Sequence, residues 1–239
     1  MIWIIPMAGK GTRTQELGEF KPFIEIKGHK IFSWFLCSVK HLVKPGDSFQ
    51  LITTKYFADK YNFDTEVMKI FQYHGINNPV SITTCEESQQ GSSATVLLVK
   101  GKIDLNEPAM VIFPDQFIDF VLPEITPNSA YMGVYVQLGN KSGFVNIVDG
   151  LITNFVEKQN ISNLASSGVY IASTGKDLIE ALEKQIKEGT TLNGEFYVGP
   201  AFNYLIDKGI KTYPVPVIAK YDLGNTKDVE YFSNRPFTC

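Results

Sequence analysis

Short β-branched runs alternate with amphipathic stretches through the first half of the chain, and that rhythm restricts the architecture more than anything else in the sequence. Ile2 to Ile5 reads as a buried strand, and a glycine-rich turn follows it. Residues 31–43 carry Phe32, Phe35, Leu36, Val39 and Leu42 on one helical face. Residues 51–54 read as a strand, 57–73 as a second amphipathic helix, 80–84 as a strand, 93–100 as a helix and 110–113 as another strand. Strands and helices alternating at this spacing require parallel strands joined by crossover helices.

Beyond residue 120 the pattern turns β-rich, with strands expected at 132–136, 144–148, 151–155 and 168–171. Asp149-Gly150 between two of them is a strong hairpin signal. Thr174 is placed to cap a helix over 176–187, with Asp177 in its first turn and Gly189 just past its end. A further helix is expected over 198–207, stopping near Gly209. With no internal repeat and no linker, one α/β domain with a β-rich extension fits better than two domains.

Composition narrows the function classes. At 239 residues, 44% apolar and 20% charged, the chain can bury a core of its own. A formal charge of −3 gives no electrostatic reason to expect DNA or RNA. Cys37, Cys85 and Cys239 have neither metal spacing nor the pattern of a disulfide framework, which points to a reducing, cytoplasmic setting. The apolar Met1 to Met7 lacks a basic leader, so it reads as a strand and not a signal peptide. No run approaches the roughly 18 apolar residues a membrane span needs.

Three segments suggest chemistry. Pro6-Met7-Ala8-Gly9-Lys10-Gly11-Thr12-Arg13 follows the first strand directly. Its glycines let the backbone approach a ligand and turn N–H groups toward phosphate oxygens, although a plain tight turn would also use them. It is neither a Rossmann fingerprint nor a P-loop: Thr14 stands where a third glycine belongs, and no Gly-Lys-Ser/Thr follows at the required spacing. Lys21-Pro22 adds a second cation after Arg13. Residues 110–115 form a buried strand ending in Asp115, which falls where open α/β sheets bind ligands, or merely opens a turn.

In order, these segments resemble the sugar-phosphate nucleotidyltransferases. That family's Ala-Gly-Gly-x-Gly-Thr-Arg and following Pro-Lys-Pro are matched by Ala8, Gly9, Gly11, Thr12, Arg13, Lys21 and Pro22, with Lys10 and Phe20 departing. Tyr221-Asp222-Leu223-Gly224-Asn225-Thr226 resembles its late Asp-x-Gly-Thr motif, which runs into a helix. The resemblance implies a loop wrapped around a nucleoside triphosphate, with Arg13 and Lys21 holding phosphates and Asp115 and Asp222 binding Mg²⁺. Two hard oxygen ligands suit Mg²⁺, which keeps several waters. Asp222 read alone is also an N-terminal helix signal.

The segment 86–94 is similar to the family's base-recognition turn, matching at Gly91 and Ala94, with Ser92 beside them. Glu86 stands where relatives often carry glutamine, and a carboxylate acceptor would favour CTP slightly; a surface acidic pair at Glu86-Glu87 explains it equally. Gly143, Glu157-Lys158 and Gly168 resemble the acceptor side, with Gln159 in place of the family's proline. The resemblance gives Lys158 the acceptor phosphate, Glu157 an acceptor hydroxyl and Glu195 a further acceptor contact; a Glu-Lys pair is also a common solvated strand end, and Phe196 and Tyr197 could be core.

The implied fold is a single α/β, Rossmann-like domain over 1–239, with a mixed, mainly parallel central sheet and a β-rich acceptor-binding extension. Residues 1–120 would hold the nucleotide and 121–239 the acceptor. The implied activity couples an NTP to a sugar phosphate or similar small phosphorylated compound with release of pyrophosphate, in the cytoplasm, with homo-oligomers allowed. Three other readings stay open: a cytidylyltransferase using a polyol phosphate or phosphocholine, a glycosyltransferase of related fold, and a non-catalytic nucleotide-binding regulatory subunit. Asp115-Gln116-Phe117 is not the Asp-x-Asp metal motif a glycosyltransferase usually shows.

Overall fold

An unbroken apolar run is expected only where both faces of a strand are covered, and β1 (Ile2–Pro6) occupies such a place. In the computed structural model, which describes residues 1–9, 16–139 and 142–239, Trp3, Ile4 and Ile5 are wholly buried. Their alternation feeds two cores. Trp3 and Ile5 pack with Phe35, Phe49 and Phe71 on one face; Ile2 and Ile4 pack with Val96, Leu182 and Phe202 on the other.

After β1 come a small hairpin, β2 (Glu25–Ile26) and β3 (His29–Lys30), then α1 (Ile31–Val39) and β4 (Ser48–Thr54). The helix expected over 57–73 is two helices, α2 (Lys55–Lys60) and α3 (Phe63–Tyr73). Asn62, left-handed at φ 45°, breaks it, since a left-handed residue cannot continue a right-handed helix. Thr54 Oγ1 caps α2 by accepting from Phe57 N at 3.3 Å. β5 (Val80–Cys85), α4 (Ser92–Val96) and β6 (Ala109–Ile112) complete the alternating half. Its strands lie side by side, all parallel, in the order β5-β4-β1-β6.

The remaining elements extend the same sheet: β7 (Gln116–Phe120), β8 (Ser129–Val136), β9 (Phe144–Val148), β10 (Leu151–Val156), β11 (Leu164–Ala172), α5 (Gly175–Glu188), α6 (Val198–Asp207), β12 (Lys211–Asp222) and α7 (Thr226–Ser233). β11 runs antiparallel to both β6 and β8, and β12 bridges β8 (parallel) to β7 (antiparallel). The sheet is therefore mixed and crosses residue 120 without a break. Asp149 and Gly150 both adopt positive φ, the turn that the β9–β10 hairpin needs. Thr174 caps α5 and left-handed Gly189 ends it, as the sequence predicts.

β7 and β12 were not expected. Pro214 and Pro216 argue against a strand, yet they share a parity, so Val215 between them can serve β8 while the missing donors fall on one edge. β7 joins β12 only from Val217 onward, past both prolines.

Candidate active site

The chain leaves β1 toward β4 and β5 on one side, then returns to β6 on the other side of β1. Loops diverge at such a switch point and leave a crevice beyond the strands' carboxyl ends. A cavity of about 940 Å³ opens there. Ala8 and Gly9, just past β1, and Asp115, just past β6, line it. Gly11, Thr12 and Arg13 lie outside the described residues.

Two lysine–carboxylate pairs stand in this cavity. Lys21 Nζ donates to Asp115 Oδ2 at 3.1 Å, and Lys220 donates to Asp222 Oδ1. The Lys220 side chain is only 9% exposed, so its charge is held against Asp222 and away from bulk water. The carboxylates come from distant segments that the backbone joins: Leu223 N donates to the Asp115 carbonyl at 2.8 Å, and Asp222 pairs with Gln116 across β12 and β7. A Cβ on Gly224 would stand 3.4 Å from Asp115 Oδ2, so a glycine keeps the space beside that carboxylate open. Asp115 and Asp222 both line the cavity and are hard oxygen donors, the kind that a small divalent cation retaining several waters accepts.

The loop after β5 forms another wall through Ser88, Gln89, Gln90, Gly91 and Ser92. Ser88 Oγ donates to the Ala8 carbonyl at 2.7 Å, tying this wall to the loop after β1. Gln90 Nε2 donates to the Gly194 carbonyl at 2.8 Å. Gly91 adopts φ +96°, and a Cβ there would lie 2.5 Å from both N and O of Phe196. Glu86 does not line the cavity. It points outward, 83% exposed, and pairs with Lys55 at 3.7 Å, which removes the basis for favouring CTP.

On the opposite side, β11 carries a bulge. Ser166 pairs with Val134 and Tyr170 with Met132, so four steps of β11 face two steps of β8. Bulges re-aim side chains next to sites, and Ser166, Ser167 and Gly168 (φ +82°) all line the cavity. Ser167 Oγ is buried against Gly133 with no hydrogen-bond partner among the described residues.

Glu157 and Lys158 follow β10. Burial lifts the Glu157 carboxyl to about 6, against a weaker opposing pull from Lys158. Gly143 faces it: a Cβ there would meet Phe155 Cζ at 2.1 Å and Glu157 Oε2 at 2.9 Å. Lys158 adopts φ +53° and donates from its backbone to the Ser142 carbonyl at 3.0 Å. A residue preceding proline is driven toward extended backbone, so Gln159, in place of the family's proline, leaves this conformation accessible. Lys158 Nζ then donates to Tyr197 Oη at 2.6 Å, and Tyr197 Oη to Glu195 Oε2 at 2.6 Å. Glu195 is delivered by a tight turn at Asn193-Gly194, both at positive φ, closed by the Leu192–Glu195 bridge.

Every sequence-selected site residue among the described ones lines this single cavity, Glu86 excepted. Sequence reasoning missed Lys220, Ser166 and Gln116, and took in Ser167 and Tyr197 only as members of acceptor-side segments, with core as the other reading of Tyr197. Lys220 and Gln116 belong to the two unforeseen strands, and Ser166 to a bulge with no periodic signature.

No protein-family model and no curated protein sequence matches the chain. Solved structures do. The nucleoside-diphosphate-sugar pyrophosphorylase from Vibrio cholerae RC9 superposes with a TM-score of 0.82 at 23% identity, covering 98% of this chain and 100% of that one. A UDP-glucose pyrophosphorylase complexed with UDP-glucose gives 0.76 at 19% identity, over 98% and 97% of the two chains. The inositol-1-phosphate CTP transferase from T. maritima gives 0.70 at 14% identity, over 100% and 98%. The chain therefore carries, over essentially its whole length, the Rossmann-like fold of these nucleotidyltransferases.

Proposed function

We propose that the protein is a magnesium-dependent nucleotidyltransferase, which joins an NTP to a sugar phosphate or a similar hydroxyl-rich phosphate and releases pyrophosphate. The observation that carries this reading is the convergence of Lys21, Asp115 and Asp222 with Lys158 and Glu157 on one cavity. In the proposed reaction an acceptor phosphate oxygen forms a bond to the α-phosphorus. The bond from that phosphorus to the bridging oxygen breaks, and pyrophosphate leaves with the electron pair. No general base is needed, because a phosphate monoester with a second pKa of about 6 is already a dianion near neutrality.

The protein's task is to align two anions and offset their repulsion. Lys21 holds triphosphate oxygens at the mouth of the β1 loop, and Lys158 holds the acceptor phosphate. Asp115 and Asp222 would hold Mg²⁺, which when bound supplies positive charge to the phosphate oxygens. Lys220 orients Asp222 through its hydrogen bond. Glu157 offers hydrogen bonds to acceptor hydroxyls, which favours a sugar or cyclitol phosphate over a quaternary-amine phosphate such as phosphocholine.

A non-catalytic regulatory subunit would have no need of both carboxylates and both lysines in one cleft. Three unlinked thiols would suit a reducing interior, and no helix among the described residues is long and apolar enough to cross a membrane. Pyrophosphate release from four NTPs, each offered with sugar 1-phosphates, inositol phosphate and phosphocholine, tests the reading. Mg²⁺-dependent turnover with at least one hydroxylated acceptor is expected. Folded protein that turns over no pair, and whose melting temperature no NTP raises, would overturn it.

A further inference from the structure

Away from the cleft, three side chains from three elements meet. Cys37 lies in the last turns of α1, His74 follows α3 directly, and Cys239 lies on the tail beyond α7. Their donor atoms all fall within 4.8 Å of one another, and none of the three lines the cavity. The tail is positioned by packing: Phe237 stacks on Phe117 and Phe232, at centroid separations of 5.1 Å each.

His74 is 8% exposed. Its Nε2 meets Ser33 Oγ at 2.9 Å and faces Cys239 Sγ at 4.0 Å, while its Nδ1 is buried with no partner among the described residues. Cys239 Sγ faces Nε2, so a metal held beside the sulfurs would take that nitrogen in exchange for its Ser33 contact.

We propose that Cys37, His74 and Cys239 form a binding site for a thiophilic d¹⁰ cation, Zn²⁺, that clasps the tail to α1 and α3. Two thiolates and one imidazole make three ligands of a tetrahedral zinc site, with water taking the fourth position through the half-exposed cysteines. With metal–sulfur bonds near 2.3 Å and metal–nitrogen bonds near 2.0 Å, tetrahedral ligands stand roughly 3.5–3.8 Å apart, so contraction by about 1 Å completes the site. Binding forms two Zn–S bonds and one Zn–N bond, and releases one proton from each thiol to solvent. A hard cation such as Mg²⁺ would gain nothing from sulfur, which separates this site chemically from the aspartate pair.

The test uses the full chain, reduced and stripped with a chelator, titrated with Co²⁺ as a spectroscopic stand-in and with Zn²⁺ in competition with a chromophoric chelator. One equivalent of Co²⁺ giving tetrahedral d–d bands and thiolate charge transfer is expected, displaced by Zn²⁺. Affinity falls by about 100-fold or more in both Cys37→Ser and Cys239→Ser. At a Zn²⁺ excess of about 100-fold over Kd the wild-type Tm rises by about 5–10 °C, and neither variant follows. Absence of uptake by the reduced wild type would overturn the proposal on native protein, whatever the variants' folding. So would uptake unchanged in both variants, or air oxidation linking Cys37 to Cys239 while Co²⁺ is excluded.

Discussion

Lys21 Nζ and Asp115 Oδ2 stand 3.1 Å apart although 94 positions separate them in the chain. The cation after the glycine loop and the carboxylate at the end of β6 thus share one electrostatic environment. In the nucleotide complex the amine is expected to exchange part of this contact for triphosphate oxygens. Lys21→Met should lower kcat by about 10²- to 10³-fold, the effect of removing one preorganised charge partner, with little change in stability. Single-turnover kinetics at saturating NTP would check it.

Glu157 carries a pH signature. Its carboxyl titrates at about 6 in the fold, above its ordinary 4.5, because burial disfavours the charge. The folded state therefore binds the extra proton between those values. Its contribution to stability is full below pH 4.5 and lost as pH rises through 6, a change of about 2 kcal/mol for a shift of this size. Glu157→Gln is expected to stabilise the protein at pH 8 by up to that amount and to leave it unchanged at pH 4. Urea unfolding at the two pH values reads this out. The same variant should raise KM for the acceptor, because the amide presents one acceptor oxygen where the carboxylate presents two.

Gly91 has no room for a side chain. A Cβ would lie 2.5 Å from the backbone of Phe196, at a φ of +96° that L residues rarely adopt. Overpacking together with backbone strain should make Gly91→Ala less stable by about 2–4 kcal/mol. Because the Gly91–Phe196 contact joins the two walls of the cavity, NTP and acceptor binding should weaken together. Denaturant midpoints and thermal shifts with each substrate would check it.

Tyr197 connects Lys158 to Glu195 by two hydrogen bonds of 2.6 Å. Tyr197→Phe removes both and frees the Lys158 amine from one fixed direction. An increase of about 3- to 10-fold in KM for the acceptor, with kcat held within about twofold, is expected if the ring positions Lys158 without touching the reacting atoms. Steady-state kinetics at varied acceptor concentration would separate the two.

What the sequence revealed follows from which signals are local. The alternation through β1, α1, β4 and β6 was legible because each strand is a continuous apolar run and each helix an amphipathic one. β12 was hidden by Pro214 and Pro216, whose cost vanishes only because β7 starts pairing after them, a fact of tertiary arrangement. The break at Asn62 rests on one left-handed residue inside a helical pattern. In the site, residues at glycine turns and strand ends were found in order, whereas Ser166 reaches the cavity through a bulge and Lys220 through an unforeseen strand. Glu86 was misplaced because sequence spacing does not say which way a loop carboxylate faces. The Asn193-Gly194 dipeptide, itself a hairpin signal, could have located Glu195 more firmly.

The measurement closest to the central claim is a double-mutant cycle on Mg²⁺ activation with Asp115→Asn and Asp222→Asn. If both carboxylates serve one ion, each single variant should lose turnover by at least about 10²-fold. The double variant should then fall little further, with a large non-additive coupling between them. Additive losses, or a single variant with wild-type Mg²⁺ dependence, would mean that Asp115 and Asp222 do not act on a common cation.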